Sequence, residues 1–240
     1  MLANNNKAII NKLAKNSVKS NKKQYGILFF TIILSAFMLF CVFTIGLTYL
    51  DSSRLQNTRL NGAEYDITTM NGFTSEQLNT LQKNANIQSV GMESYAGFIK
   101  SSDFDNTVEI GLLWCDEVFW DNLMSPARTK LDGRYPQNKN ELMVTKDILK
   151  TCGNENLSVG DSLVLTYENN TGVHTDEFVI SGIWDGYGDT SVGFVSKAFY
   201  NETGYDLKND GILHIKLNHN YVFPTTIQSI EKSLDFSDRQ

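Results

Sequence analysis

Histidine and cysteine are scarce in this chain, with three of each among its 240 residues. Two patterns that bind metals or carry reactive thiols, H-E-x-x-H and C-x-x-C, are absent from it. The G-x-S-x-G turn of serine hydrolases is absent too, and so is any glycine-rich loop that could cradle phosphate. We therefore predict that the chain is not an enzyme, that it has no catalytic, cofactor-binding or metal-binding residues, and that it uses no cofactor.

The positions of the three histidines in the sequence indicate structural roles and not metal binding or catalysis. His214 lies within an alternating apolar strand, while His174 and His219 lie in polar turns. Residues 101–106 alternate oxygen-bearing side chains as a calcium loop does, but they lack its glycine and its distal glutamate. We interpret this segment as a solvated loop.

Ionisable residues are missing from residues 24–50. A helix of that length is roughly 40 Å long, more than the ~30 Å hydrocarbon core of a bilayer. The alternative is a secretory signal peptide, but its apolar region would be about 7–15 residues long and would end at a small-residue cleavage site. Neither feature is present, so residues 24–50 are predicted to be a transmembrane helix.

Acidic residues are absent before Asp51, although six lysines precede that position. The remaining 190 residues carry 15 basic and 27 acidic side chains. By the positive-inside rule, the N-terminus is cytoplasmic, the chain crosses the cell membrane once, and its bulk is extracytoplasmic. This charge distribution argues against nucleic acid as a partner and predicts that the basic arm contacts anionic membrane lipid or a cytoplasmic protein.

The arm, residues 1–23, has the pattern of a basic amphipathic helix. Ile10, Leu13 and Val18 fall on one side of such a helix and the lysines on the other. The alternative is a disordered polybasic anchor, which the asparagines of the arm would favour.

Residues 51–240 are predicted to form an α+β ectodomain. Residues 51–62 continue the span as a stalk, and a β-α-β unit follows, in which Thr74 and Gln77 form a capping box. A long β-rich middle then precedes a final strand at 212–217 and a helix that begins at Pro224. Because helical units bracket the β-rich part, we predict an inserted subdomain at about 101–195.

Cysteines and aromatic residues leave two alternatives open. Cys115 and Cys152 are either buried apolar residues or partners in a disulfide bond, which an extracytoplasmic location permits. Most aromatic residues are predicted to lie in the core, but the turn at 184–189 could instead form an exposed recognition loop.

The middle of the chain resembles the MacB-like core domain of ABC transporter permeases. LDGRYP at 131–136, NELMVT at 140–145 and SVGDSLVL at 158–165 are similar, in this order, to that family's signature. FVISGIW at 178–184 resembles the strand that follows it, and the basic arm with its span is similar to the start of FtsX-like/MacB-like permeases.

The signature residues also have structural explanations. Gly133 and Gly160 suit tight turns, where a β-carbon would clash, and Asp161 can accept hydrogen bonds from neighbouring amides. Arg134 and Glu141 could form an ion pair, which at an exposed position would contribute only about 0–1 kcal/mol.

The resemblance implies a function and a set of partners. The chain would be the N-terminal portion of the transmembrane subunit of an ABC transporter, because FtsX-like permeases have three more transmembrane helices after the ectodomain. It would work with a cytoplasmic ATP-binding-cassette subunit and a second permease copy, coupling ATP hydrolysis to ectodomain movement by mechanotransmission. The extracytoplasmic process would be antimicrobial peptide export or resistance, lipoprotein handling, or cell-wall hydrolase control. The alternative is a single-span ectodomain that binds a peptide, lipid or cell-wall ligand as a sensor or adhesin.

Overall fold

The computed structural model describes residues 7–100, 110–187, 192–218 and 224–234. The chain divides into two compact units, Met1–Arg54 and Leu55–Gln240. The first unit contains helix α1, Lys7–Ser20, and most of helix α2, Lys22–Asn61. Helical hydrogen bonds continue on both sides of Asn21, whose N–H donates to Ser17 O (3.0 Å) and whose carbonyl accepts from Tyr25 N (3.1 Å). The arm is therefore helical over its described part.

Helix α2 contains both the predicted span and the predicted stalk. Its 40 residues correspond to about 60 Å of helix, twice the hydrocarbon thickness of a bilayer. It contains no proline, and it ends just before Gly62, whose φ of 74° is typical of a helix C-terminus. The chain is membrane-anchored through this helix.

The second unit is an α+β domain, as predicted, with one mixed sheet of nine strands among the described residues. The strands are β1 Ile67–Thr69, β2 Ile87–Lys100, β3 Ile110–Cys115, β4 Arg128–Gly133, β5 Glu141–Thr145, β6 Ser162–Asn169, β7 Gly172–Gly186, β8 Val192–Val195 and β9 Gly211–Leu217. The helices are α3 Ser75–Gln82, α4 Lys146–Thr151, α5 Lys197–Tyr200, α6 Leu207–Asp210 and α7 Pro224–Leu234, with a π-helix at Val118–Leu123 and a short 3₁₀ helix at Ser125–Ala127.

The strand order is β1-β9-β2-β3-β8-β5-β7-β4, and β6 pairs with both β2 and β7. The two long strands β2 and β7 therefore close a ring of six strands, β2-β3-β8-β5-β7-β6. A bulge between Tyr95 and Gly97 bends β2 so that its last residues turn to β6. Alternate residues of the ring point inward and form the largest hydrophobic cluster, which α4 and α5 cover with Ile148, Leu149 and Phe199.

Two smaller clusters complete the core. One is rich in aromatic residues and joins β7, β8 and the π-helix through Trp184, Phe194 and Trp120. The other packs α3 and α7 on β2 and β9 through Leu81, Ile230 and Ile215. The β-α-β unit at the start of the domain is thus present as β1-α3-β2.

The predicted capping box at the start of α3 is confirmed. Thr74 Oγ1 accepts from Gln77 N (3.2 Å) and Gln77 Oε1 accepts from Thr74 N (2.8 Å), which completes the capping box. Strand β4 was not predicted, and the helix after Asp116 is a π-helix. The inserted subdomain at about 101–195 stays a prediction; two strands in that range, β3 and β6, pair with β2.

Candidate functional site

The last turns of α2 belong to the second unit and are anchored in it. Thr58 is only 8% exposed. The Arg59 guanidinium lies 4.0 Å from the centre of the Tyr187 ring, a cation–π contact that is worth roughly 0.5–2 kcal/mol. Ala63, two residues beyond the helix, is buried in the aromatic cluster. The stalk end is therefore held by side chains on both sides of Asn61.

The chain that leaves α2 is also tied to the sheet by main-chain bonds. Glu64 N donates to Leu123 O (2.7 Å), and Asp66 N donates to Ile215 O (2.9 Å). Asp66 Oδ2 in turn accepts from Leu217 N (2.8 Å), and Glu64 pairs with Lys216 at 2.5 Å. These bonds connect the stalk exit, the segment 62–66 that follows α2, to β9 and to the π-helix.

A buried polar pair lies beneath this exit. His214 Nε2 lies 2.9 Å from Glu93 Oε2, and both side chains are nearly buried. The rings of Tyr65 and Phe119 flank His214 at 4.8 and 4.6 Å. His214 therefore links β9 to β2 where the stalk enters the domain, which agrees with its predicted place in a strand.

Arg134 and Glu141 form a bidentate ion pair, with Arg134 Nη1 and Nη2 donating to Glu141 Oε2 (2.8 Å) and Oε1 (2.6 Å). The Glu141 side chain is only 10% exposed. It also accepts from Gln137 N (2.8 Å), Asn138 N (3.1 Å) and Asn138 Nδ2 (2.8 Å). The expectation of a weak exposed pair is therefore wrong, because backbone amides and a half-exposed arginine converge on one buried carboxylate.

The same hydrogen bonds change the acidity of this carboxyl group. The Arg134 guanidinium, followed by the amides of Gln137 and Asn138, lowers the pKa of Glu141 from 4.5 to about 2, against the opposing effect of burial. The loop between Arg134 and Glu141 is therefore closed by an ionised carboxylate at every physiological pH.

Gly133 and Gly160 both have positive φ, 84° and 97°, as their predicted turn roles require. Asp161 Oδ2 accepts from Ser158 N (2.8 Å), the predicted side-chain bond to a neighbouring amide. The two glycines differ in their surroundings. A β-carbon on Gly133 would lie 2.3 Å from Ser181 O, whereas one on Gly160 would meet nothing within 4 Å.

A cleft of about 670 Å³ opens between this loop and the π-helix. Tyr135 anchors its floor, because its hydroxyl accepts from Cys115 N (3.0 Å) and lies within hydrogen-bonding distance of the Cys115 and Val195 carbonyls. Burial raises the pKa of both Tyr135 and Cys115 well above their ordinary values, so both groups stay protonated. The lining residues are Trp114, Cys115, Asp116, Glu117, Trp120, Asp121, Leu131, Gly133, Arg134, Tyr135, Pro136, Gln137 and Lys197.

Asp116 shows how the cleft is built around the π-helix. Its Oδ1 accepts from Met92 N (2.9 Å) and Phe119 N (2.9 Å), so it caps the helix and joins it to β2. Burial raises the pKa of Asp116, and these amides oppose that rise. The helix that Asp116 caps has the wider π geometry.

The predicted absence of catalytic, cofactor-binding and metal-binding residues stays a prediction. Within the described ranges, no group of three or more histidine, cysteine or acidic side chains could hold a metal ion. His174 Nε2 lies 2.7 Å from Thr171 Oγ1. His219 and the 101–106 segment lie outside the described residues.

The structure answers two questions that the sequence left open, the state of the cysteines and, in part, the exposure of the turn at 184–189. Cys115 and Cys152 are free thiols. Trp184 is buried, so it is not a recognition side chain, whereas Tyr187 is 38% exposed and stacks with Arg59. Residues 188 and 189 of that turn lie outside the described residues. Sequence reasoning missed the Arg59–Tyr187 contact, since nothing in the pattern relates positions 128 residues apart.

No protein-family model matches the chain, and no curated protein matches it significantly. Among solved structures, it is similar to the periplasmic region of MacB from Actinobacillus actinomycetemcomitans, with 16% identity and a TM-score of 0.47 over 69% of this chain and 80% of that one. A domain of a permease protein from Porphyromonas gingivalis is similar at 11% identity and a TM-score of 0.43, over 73% and 75% of the two chains.

The extracellular domain of the noncanonic ABC-type transporter YknZ from Gram-positive bacteria is similar at 12% identity and a TM-score of 0.43, over 66% and 78% of the two chains. At these identities the likeness concerns the fold and does not extend to substrate or partner. The kinds of protein found are those that the sequence resemblance predicts: this chain is similar to the extracytoplasmic domains of MacB/FtsX-like ABC transporter permeases.

Proposed function

We propose that the chain is the N-terminal portion of the transmembrane subunit of a MacB/FtsX-like ABC transporter. In this role it couples ATP hydrolysis by a cytoplasmic partner subunit to movement of its extracytoplasmic domain. The observation that carries the proposal is helix α2, which runs without a break from Lys22 to Asn61 and whose last turns are anchored in the ectodomain.

The physical requirement of such coupling is stiffness along the whole path. Helix α2 has neither proline nor a π-bulge, two common causes of a sharp kink, and its serine pair, Ser52-Ser53, is continuous helix. At the far end, the Arg59–Tyr187 contact and the bonds of Glu64 and Asp66 leave no free linker in which motion could dissipate. The proposal includes the cytoplasmic ATPase and a second permease copy as partners, and an extracytoplasmic peptide or lipid as the transported or sensed molecule.

Softening the stalk at the serine pair should uncouple the two activities. Ser52→Gly with Ser53→Gly lowers helix propensity by about 2 kcal/mol relative to alanine at both positions, without changing the helical register. In the full-length permease with its ATPase, we expect the glycine variant to keep ATP hydrolysis and to lose most of the cellular output. The measurement is ATPase rate beside resistance or substrate release in the same cells.

The matched control is Ser52→Ala with Ser53→Ala, which changes the same side chains and stiffens the helix. It should keep both activities. If the glycine variant retains full output, stiffness at the stalk is not required, and the sensor or adhesin alternative is favoured.

The orientation of the chain is part of the proposal and follows from the lysine asymmetry. Protease added to intact cells, or to spheroplasts where there is an outer membrane, should degrade the part after Asp51 and spare a tag at Met1. Replacing Lys12, Lys15, Lys19, Lys22 and Lys23 with glutamate should invert or impair insertion, whereas five such changes in the ectodomain should not. Loss of the tag with protection of the ectodomain would contradict the proposed topology.

A further inference from the structure

Strand β4 has an open edge. It stands at the end of the strand order, and among the described strands it pairs only with β7. Residues 129–133 are exposed, so no other described element covers them. An open edge presents unpaired main-chain groups, which can pair with another extended chain.

The register of β4 shows which groups point outward. Arg134 N donates to Ser181 O (2.9 Å), and the pairing continues one-to-one through Gly133↔Gly182 and Asp132↔Ile183 to Leu131↔Trp184. In an antiparallel pair, hydrogen-bonded residues alternate with residues whose main-chain groups face away. Asp132 therefore bonds toward β7, and the N–H and C=O of Leu131 face the open edge.

The cleft borders one face of β4. Leu131 and Gly133 line it, whereas Lys130 and Asp132 do not, which is the alternation expected of a strand. Leu131 is 46% exposed beside the cleft. A chain added to β4 would thus place every second side chain on the face that borders this cleft, whose volume of about 670 Å³ is large enough for an aromatic side chain with its neighbours.

The charges around the cleft favour a cation. Glu117 and Asp121 are exposed carboxylates of its lining. Of the lining cations, Arg134 is already bonded to Glu141, and Lys197 Nζ lies 5.2 Å from the centre of the Trp114 ring. Arg128, beside the cleft, stacks on the Trp120 ring at 4.0 Å and interacts with Asp121, which leaves Glu117 as the carboxylate more open to a ligand. The acidic excess of residues 51–240 adds a long-range attraction for basic ligands.

We propose that the open edge of β4 and this cleft bind an extended peptide segment of a partner, with one aromatic side chain flanked by basic side chains on its cleft-facing side. Its main chain pairs with Leu131 by strand addition. Its aromatic residue enters the cleft opposite Leu131, and the basic residues two positions away on each side reach Glu117 and Asp121. This goes beyond the coupling role proposed above and does not depend on it.

The test uses the full chain in nanodiscs and the fluorescein-labelled peptide Thr-Lys-Thr-Trp-Thr-Lys-Thr, with fluorescence anisotropy as the readout. We expect saturable binding below about 1 mM peptide. The peptide with glutamate in place of both lysines should bind at least about tenfold more weakly. So should the lysine peptide methylated on the amide nitrogens of tryptophan and both lysines, because those N–H groups would face β4.

Two changes in the protein separate the cleft from general charge. Glu117→Lys with Asp121→Lys should weaken binding by about tenfold or more, while Asp132→Lys, on the opposite face of β4, should change it by less than about twofold. Leu131→Pro should also abolish binding without lowering the melting temperature, because it removes the outward N–H of an edge strand together with a half-exposed side chain of the cleft. The charge variants decide the matter if that variant does not fold.

Three results would each overturn the proposal. They are equal binding of the acidic and basic peptides, equal binding of the methylated peptide, and absence of saturation for the basic peptide at about 1 mM.

Discussion

Gly133→Val should destabilise the ectodomain by about 3–5 kcal/mol, since it adds backbone strain at positive φ to an overlap with the main chain of β7. Its β-carbon would lie 2.3 Å from Ser181 O and 2.9 Å from Gly182 Cα, which are both main-chain atoms that a rotamer change cannot move. At this point β4 and β7 pass glycine against glycine. A domain with a typical stability of about 5–15 kcal/mol would lose a large part of it.

Gly160→Val is the matched control. Gly160 has a similar positive φ of 97°, but a β-carbon there meets nothing within 4 Å. Only the conformational strain remains, so we expect a loss of about 1–3 kcal/mol. Both variants can be measured by urea unfolding with tryptophan fluorescence, because all three tryptophans are buried in the second unit. Equal losses at the two positions would contradict the close contact of β4 with β7.

Glu141→Gln should destabilise the ectodomain by about 1–3 kcal/mol at pH 7, as expected for hydrogen bonds to a charged group. The change keeps the shape of the side chain but removes the charge that Arg134 and two backbone amides share. The loop from Arg134 to Glu141 forms one wall of the cleft, so its loosening should be seen in unfolding measurements of the whole domain.

The pH dependence follows from the lowered pKa of Glu141. Its folded pKa of about 2 lies below its ordinary value of 4.5. The stabilisation is therefore complete above pH 4.5 and is lost as the pH falls through 4.5 toward 2. The difference between the parent chain and Glu141→Gln should shrink over that interval. Asp161→Asn, which changes an exposed carboxylate at a similar turn, serves as the comparison. A difference that stays constant from pH 7 to pH 2.5 would show that Glu141 is not the group that titrates.

The sequence was most informative where one side chain determines the local structure. The capping box at Thr74 and Gln77, the positive φ of Gly133 and Gly160, and the unbroken apolar run of α2 were predicted from the residues alone. Each depends on neighbours within a few positions, where steric and hydrogen-bonding rules act directly.

Strand β4 and the Arg59–Tyr187 contact could not be predicted in this way. Strand β4 carries Arg128, Lys130 and Asp132 and has no apolar alternation, because an exposed edge strand does not need a buried face. The burial of Glu141 could not be predicted either, because it depends on how the Gln137 and Asn138 amides fold around its carboxylate. Such features arise from tertiary packing and not from local pattern.

The central claim is that motion of α2 arrives in the ectodomain. It is tested most directly by a distance measurement between the two copies of the permease in nanodiscs with the ATPase partner. A spin label at Val164→Cys, an exposed site on β6, reports the ectodomain once Cys41 and Cys152 are replaced by alanine. Trapping the partner with ATP and vanadate should shift the distance distribution when Ser52 and Ser53 are changed to alanine, and should leave it unchanged when they are changed to glycine. An identical shift with both stalks, or no shift with either while ATP is hydrolysed, would contradict transmission through a stiff helix.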